Sequence, residues 1–160
     1  MKRIKTAWLW LLLPAVLVVL DQLVKNWVQK TISLYGVKPF LPGLVELTYV
    51  QNTGAAFSLF REHTWILTLI SAVASLIILV LLLRQTMPGF LGQLALSLVL
   101  GGAVGNLIDR YLHGYVVDMF SLQFMDFAVF NVADIAISVG GVLLCVYVLF
   151  FWKKPEESAP

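Results

Sequence analysis

Residues 64–83 read TWILTLISAVASLIILVLLL, twenty positions without one charged side chain. About 20 apolar residues in a helix cover the roughly 30 Å hydrocarbon thickness of a bilayer. This stretch is therefore a membrane span, and three neighbours share its character. One runs from Ala7 to about Val28 and is uncharged until Asp21. Another, Phe90 to about Ile108, is rich in small residues (Gly101, Gly102, Ala103, Gly105), and the last, Ala133 to Trp152, holds Gly140 and Gly141. Small residues let helices approach closely in lipid. Pro14 predicts a kink in the first span, tolerable where a neighbour satisfies the freed carbonyl.

Composition agrees. Apolar residues make up 60% of the 160 positions and charged ones 12%, against about half and about a quarter in soluble domains. A soluble domain of this length has too little interior for that surface, so lipid must cover it. The expected fold is an all-α membrane protein with four transmembrane helices, forming one domain over 1–160 with spans near 7–28, 64–83, 90–108 and 133–152. A net charge of +2 without a basic stripe argues against nucleic acid. The lone Cys145 permits no internal disulfide and no CxxC motif, and is expected to pack inertly inside an apolar run.

Lys2, Arg3 and Lys5 precede the first span, but no small-x-small cleavage site follows, so it reads as a retained helix. Arg84, Lys153 and Lys154 fall on the same side as these three, which the positive-inside rule makes cytoplasmic for both termini. Lys30, Lys38, Arg61 and Arg110 dilute the bias. The connections 30–63 and 111–130 then lie outside. Alternation over Leu44–Val50, after the turn formers Pro39, Pro42 and Gly43, predicts a strand or hairpin, giving a small β-containing outer region.

That topology collects polar residues at one membrane edge. Asp21 ends the first span, Asn106, Asp109 and Arg110 end the third, and Asn131 and Asp134 open the fourth, with Asn52 and Asp118 in the outer connections. A charge costs about 2.5–3.5 kcal/mol at a helix centre and less near the interface. Any one of these residues is explained by contact with water; their convergence points to a site. Histidine-based metal chemistry lacks its spacing, because His63 and His113 sit in different loops. Serine chemistry lacks both Gly-x-Ser-x-Gly and Ser-x-x-Lys, leaving Ser71, Ser75, Ser97 and Ser138 as helix-packing residues. Carboxylates remain. Two held close share one proton near neutral pH, so one serves as base to a water while the other polarises a carbonyl, with no metal or cofactor.

Two other classes compete. A small transporter or channel subunit would carry polar residues through the cytoplasmic half too, where these spans have almost none. A non-enzymatic assembly factor would bind lipoproteins through the outer loops without cutting them.

Five motifs occur in order: Asp21-Gln22-Leu23-Val24-Lys25; Asn52-Thr53-Gly54-Ala55-Ala56-Phe57; Gly102 to Arg110 (GAVGNLIDR); Val116-Val117-Asp118; and Phe130-Asn131-Val132-Ala133-Asp134. Together they resemble the lipoprotein signal peptidases (signal peptidase II, bacterial aspartic peptidases) over essentially the whole chain. The resemblance implies Asp118 and Asp134 as catalytic residues, with Asp21, Asn52, Asn106, Arg110 and Asn131 as polar support. It also implies membrane-embedded cleavage of diacylglyceryl-modified prolipoproteins, just before the lipidated cysteine. The enzyme would be multi-pass in the bacterial cytoplasmic (inner) membrane, with its site at the periplasmic face. Met119, where the family more often has Phe, is a small departure.

Spacing adds candidate roles. Asn106 and Arg110 share a helix face, and Arg110 suits a carboxylate or a substrate backbone. Asn131 either caps the fourth helix or contacts substrate. Asp21 either ties the first helix to the outer loops or contacts substrate; with Lys25 it also reads as a plain ion pair at a helix end. Gly54 is expected to supply an unusual backbone angle beside Asn52. Ala55–Phe60 reads as a flap or as ordinary loop packing, Asp109 as locally solvated and outside the site, and Asp126 as exposed. Trp8, Trp10, Trp27, Trp65 and Trp152 sit near span ends as interface anchors. A monomer suffices, since a substrate helix needs one lipid-facing gap.

Overall fold

The apolar runs become helices in a computed structural model that describes residues 4–54 and 64–152. A 3₁₀ segment, Ile4–Leu11, leads into α1, Leu12–Thr31. A hairpin of β1 (Val37–Leu41) and β2 (Val45–Asn52) precedes α2 (Thr64–Leu83) and α3 (Phe90–His113). β3 (Val116–Leu122) and α4 (Val132–Phe150) complete the chain. All four helices are long and apolar enough to cross a membrane. The Ala55–Phe60 segment, His63, and the basic residues Lys2, Arg3, Arg61, Lys153 and Lys154 lie outside the described residues.

α3 is the central helix. It packs against α1, α2 and α4, and 56% of the residues in its apolar stretch are buried, against 17%, 17% and 22% in the others. The outer faces keep their large apolar side chains exposed, as at Leu76 and Leu149, which suits lipid. Cys145 corrects an expectation: it is exposed, on the outward face with Val142 and Leu149, and is not enclosed by protein. Pro14 cannot bond the carbonyl of Trp10, and Ser97 Oγ on α3 donates to that oxygen at 3.1 Å. The neighbour expected to satisfy the freed carbonyl is therefore present.

Three spans shift their boundaries, the first being α-helical over Leu12–Thr31 where 7–28 was expected. The third helix runs past Ile108 to His113, ending on Gly114 in the left-handed conformation (φ 76°), whose N–H bonds the Arg110 carbonyl. Hydropathy falls at Asp109, but the backbone bonds continue because that charge has buried partners. The last helix is Val132–Phe150 where 133–152 was expected.

Outside the bundle stands a three-stranded antiparallel sheet in the order β1-β2-β3. The hairpin was expected. β3, from the second connection, was not: Val116 to Met119 are all buried, so the strand shows no alternation to read. A core of Val28 and Ile32 from α1 with Leu47, Tyr49, Val117 and Met119 seats the sheet on the helix end. Met119 is fully buried there, so an apolar residue fills that place.

Glycine sets how closely α3 approaches its neighbours. A Cβ on Gly102 would collide with the main-chain oxygen of Ala133, and one on Gly105 would lie 2.7 Å from Asp21 Oδ2. Gly102→Ala must push the start of α4 away, and is expected to cost about 1–3 kcal/mol. Gly141, with open space around it, is the control: Gly141→Ala should leave the melting temperature unchanged or raised, since alanine is the better helix former. Thermal unfolding in detergent compares the two. Equal melting temperatures would mean that α3–α4 contact does not set stability.

Candidate active site

The site grows from the start of α4. Asn131 takes an extended backbone and its side chain accepts the N–H of Asp134 at 2.9 Å, while Asp134 Oδ2 accepts the Asn131 N–H at 3.2 Å. This reciprocal capping box satisfies two backbone donors and fixes the direction of Asp134. The open question over Asn131 thus resolves toward capping, with an addition. Its Nδ2 donates to Asp118 Oδ1 at 2.6 Å and to Asn106 Oδ1 at 3.2 Å. Asn131 is fully buried and binds both aspartates.

β2 and β3 deliver the other side. Val50 pairs with Asp118 and Asn52 with Val116, so Asn52 and Asp118 are diagonal neighbours on one sheet face. Asn52 Nδ2 donates to Asp118 Oδ2 at 2.9 Å. Gly54 corrects an expectation, since the positive-φ glycines among the described residues are Gly43, Gly89 and Gly114. Its contribution is its N–H, which donates to Asn52 Oδ1 at 3.0 Å. That bond turns the amide so that its NH2 faces Asp118.

α3 supplies Asn106, whose Nδ2 donates to Asp134 Oδ1 at 2.7 Å. Its Oδ1 accepts from Lys25 Nζ at 2.9 Å and from Asn131. Two donors on one atom leave a single reading of the amide, with NH2 toward Asp134. Arg110 Nη1 reaches Ser71 Oγ at 3.5 Å, and its buried Nε has no hydrogen-bond partner among the described residues. The guanidinium feels the charges of Asp134 and Asp118, yet the ion pairs found among the described residues are Lys25 with Asp21 and with Asp109. Ser71 therefore does more than pack helices.

Asp21 is 1% exposed. Its Oδ1 accepts the Ala133 N–H at 3.0 Å and its Oδ2 pairs with Lys25 at 2.7 Å. Asp21 thus ties the first helix to the start of α4, and its bonds go to Ala133, Lys25 and Gln22. One expectation fails here. Asp109 is not locally solvated: it is 2% exposed, pairs with Lys25 at 3.0 Å, and accepts the Val117 N–H at 3.0 Å and Gln22 Nε2 at 2.8 Å. The ion pair expected between Asp21 and Lys25 is present, and it is part of a larger buried set, since Lys25 lies between two carboxylates and Asn106. One signal was legible: two aspartates at span ends need a cation, and Lys25 lies one turn from Asp21. Asp126 is exposed, as expected.

Electrostatically the two aspartates differ. Asp118 is 2% exposed, and burial first, with the Asp134 charge second, pushes its pKa up to about 7 against the Asn52 and Asn131 bonds. Asp134 is half-buried at the edge of an apolar groove of about 440 Å³, lined by Phe127, Phe130, Ile135, Ser138 and Val139 among others. A proton-holding carboxyl beside a more open carboxylate suits acid–base chemistry on a chain lying in that groove.

Known proteins resemble this chain in sequence and fold. The family model described as signal peptidase (SPase) II matches residues 13–150. The lipoprotein signal peptidase of Streptococcus pyogenes serotype M2 is 45% identical over 140 residues, 88% of this chain and 90% of that one. Its serotype M5 counterpart is 44% identical over the same shares. Two solved structures of a bacterial membrane enzyme, each 26% identical, superpose with TM-scores of 0.84 and 0.81. They cover 94% and 89% of this chain and 94% of each of those chains. These matches span all four helices and the sheet, and they decide against the transporter and assembly-factor readings. A multi-pass membrane chain with this sequence and this polar cluster belongs to the signal peptidase II family, the lipoprotein signal peptidases.

Proposed function

We propose that this peptidase is of the aspartic type, with Asp118 and Asp134 as its catalytic pair. The observation that carries the reading is Asn131, one buried side chain that donates to the Asp118 carboxyl and accepts the backbone N–H of Asp134. Asp134 is the base: it stands in the first turn of α4 and opens on the groove. It removes a proton from the attacking water. Asp118, protonated below about pH 7, gives its proton to the carbonyl oxygen of the scissile peptide. Asp134 then passes the proton taken from water to the leaving nitrogen as the C–N bond breaks, and a hydroxyl of the tetrahedral intermediate returns a proton to Asp118 as the new carboxyl forms. Asn52, Gly54, Asn106 and Asn131 keep both carboxyls in place, and Arg110, with no ion pair among the described residues, offers its N–H groups to the substrate backbone.

The substrates are diacylglyceryl-modified prolipoproteins, cut before the lipidated cysteine. The signal helix lies along the apolar groove beside α4, which places its end at Asp134. The chain is one domain over 1–160 and works as a monomer in the bacterial cytoplasmic membrane. Its termini are inside and its site is at the outer face, as the basic flanks suggest. Purified protein is expected to cleave a lipidated prolipoprotein peptide at least tenfold faster than the same peptide with an unmodified cysteine. Equal rates on both would remove the lipid from the recognition.

A further inference from the structure

We propose that Lys25 is the positioning residue of this site, acting through Asn106 and through Asp21 and Asp109. The inference rests on the reading of Asp118 and Asp134 as the catalytic pair. An ammonium has three hydrogens, and Lys25 Nζ has three acceptors: Asp21 Oδ2 at 2.7 Å, Asn106 Oδ1 at 2.9 Å and Asp109 Oδ2 at 3.0 Å. Lys25 is 2% exposed, and these three acceptors match its three hydrogens. Each acceptor leads to a different part of the site. Asp21 holds the Ala133 N–H, one residue before Asp134. Asp109 holds the Val117 N–H, one residue before Asp118. Asn106 donates to Asp134 itself.

One cation therefore sets the two carboxylate-bearing backbones relative to each other and fixes the amide that faces Asp134. Without it Asn106 Oδ1 keeps only the 3.2 Å bond from Asn131, and the amide that faces Asp134 is held less firmly. The lysine also carries positive charge close enough to act on Asp118. The charges that act on Asp118 are Asp134 from α4, Lys25 from α1 and Arg110 from α3, with Asp21 and Asp109 facing Lys25 behind them. Lys25 touches neither carboxyl of the catalytic pair, so its effect is on turnover and on proton affinity, not on holding the signal helix.

The test uses full-length enzyme in detergent with a lipidated prolipoprotein peptide. Lys25→Arg keeps the charge but offers a planar fork to three differently placed acceptors. It is expected to lower kcat at least tenfold with KM within twofold and the alkaline limb of the pH profile in place. Lys25→Met is expected to move that limb upward, because the charge favouring ionised Asp118 is gone. If Lys25→Met does not fold, Lys25→Arg carries the test with Asn106→Ala. A residue acting through Asn106 loses most of its effect on kcat in the Asn106→Ala background. Additive losses in that background, or Lys25→Arg with wild-type kcat, would overturn the proposal. Full cleavage by Asp118→Asn and Asp134→Asn would instead overturn the catalytic pair, whatever Lys25 does.

Discussion

Asp134→Asn and Asp118→Asn are each expected to lower kcat/KM for a lipidated prolipoprotein peptide by about 10²–10⁴, the contribution typical of a positioned acid or base. Asparagine keeps the shape and removes the proton chemistry. It also mismatches the surroundings. Both oxygens of Asp134 accept, from Asn106 Nδ2 and the Asn131 N–H, and both oxygens of Asp118 accept, from Asn131 Nδ2 and Asn52 Nδ2. An amide has one accepting atom, so each substitution sets an NH2 against a donor. The wild-type pH profile supplies the sign. Asp118, pushed up to about 7, carries its proton below that pH and loses it above, so kcat is full on the acid side of 7 and falls as pH rises through it. A stability effect runs the same way. An ordinary Asp ionises near 3.8, so the unfolded chain releases this proton first, and stability declines from about pH 4 to about pH 7. Asp118→Asn should flatten that decline in a pH series of melting temperatures. Cleavage within tenfold of wild type by either variant would sink the two-aspartate mechanism.

What the sequence made legible follows from how each signal is stored. The spans were readable because lipid demands a continuous apolar run, and Thr64–Leu83 states that demand locally. Asn131 as a cap was readable because a cap acts within three residues. Asp109 was misread because its partners come from elsewhere in the chain: Lys25 on α1 and the Val117 N–H on β3. A charge at a span end looks the same whether water or a buried cation meets it. β3 escaped for a related reason: enclosed on both faces, it lost the alternation that revealed β2. Gly54 was credited with backbone freedom because that is what glycine most often provides, whereas here its N–H matters. The pairing of Asp118 with Asp134 came from the family resemblance, since nothing local joins a strand residue to a helix cap.

The second large effect is expected at Asn131, where two roles can be separated. Its Oδ1 caps α4, and its Nδ2 binds Asp118 and Asn106. Asn131→Ala removes both, and loss of the cap alone costs about 0.5–2 kcal/mol. Asp118 would keep Asn52 as a donor but lose its 2.6 Å bond, leaving a buried carboxyl partly unsatisfied. Activity should fall by about 10² or more, as when a group holding catalytic residues moves them by an ångström. Asn131→Ser tells the roles apart. Serine caps a helix about as well as asparagine, so the melting temperature should stay near wild type. Its side chain ends at the hydroxyl and has no second donor to offer Asp118, so the activity loss should persist. A serine variant with both stability and cleavage intact would reduce Asn131 to a cap. Wild-type stability with lost turnover would show that the same residue that starts α4 also holds its aspartate against the one on β3.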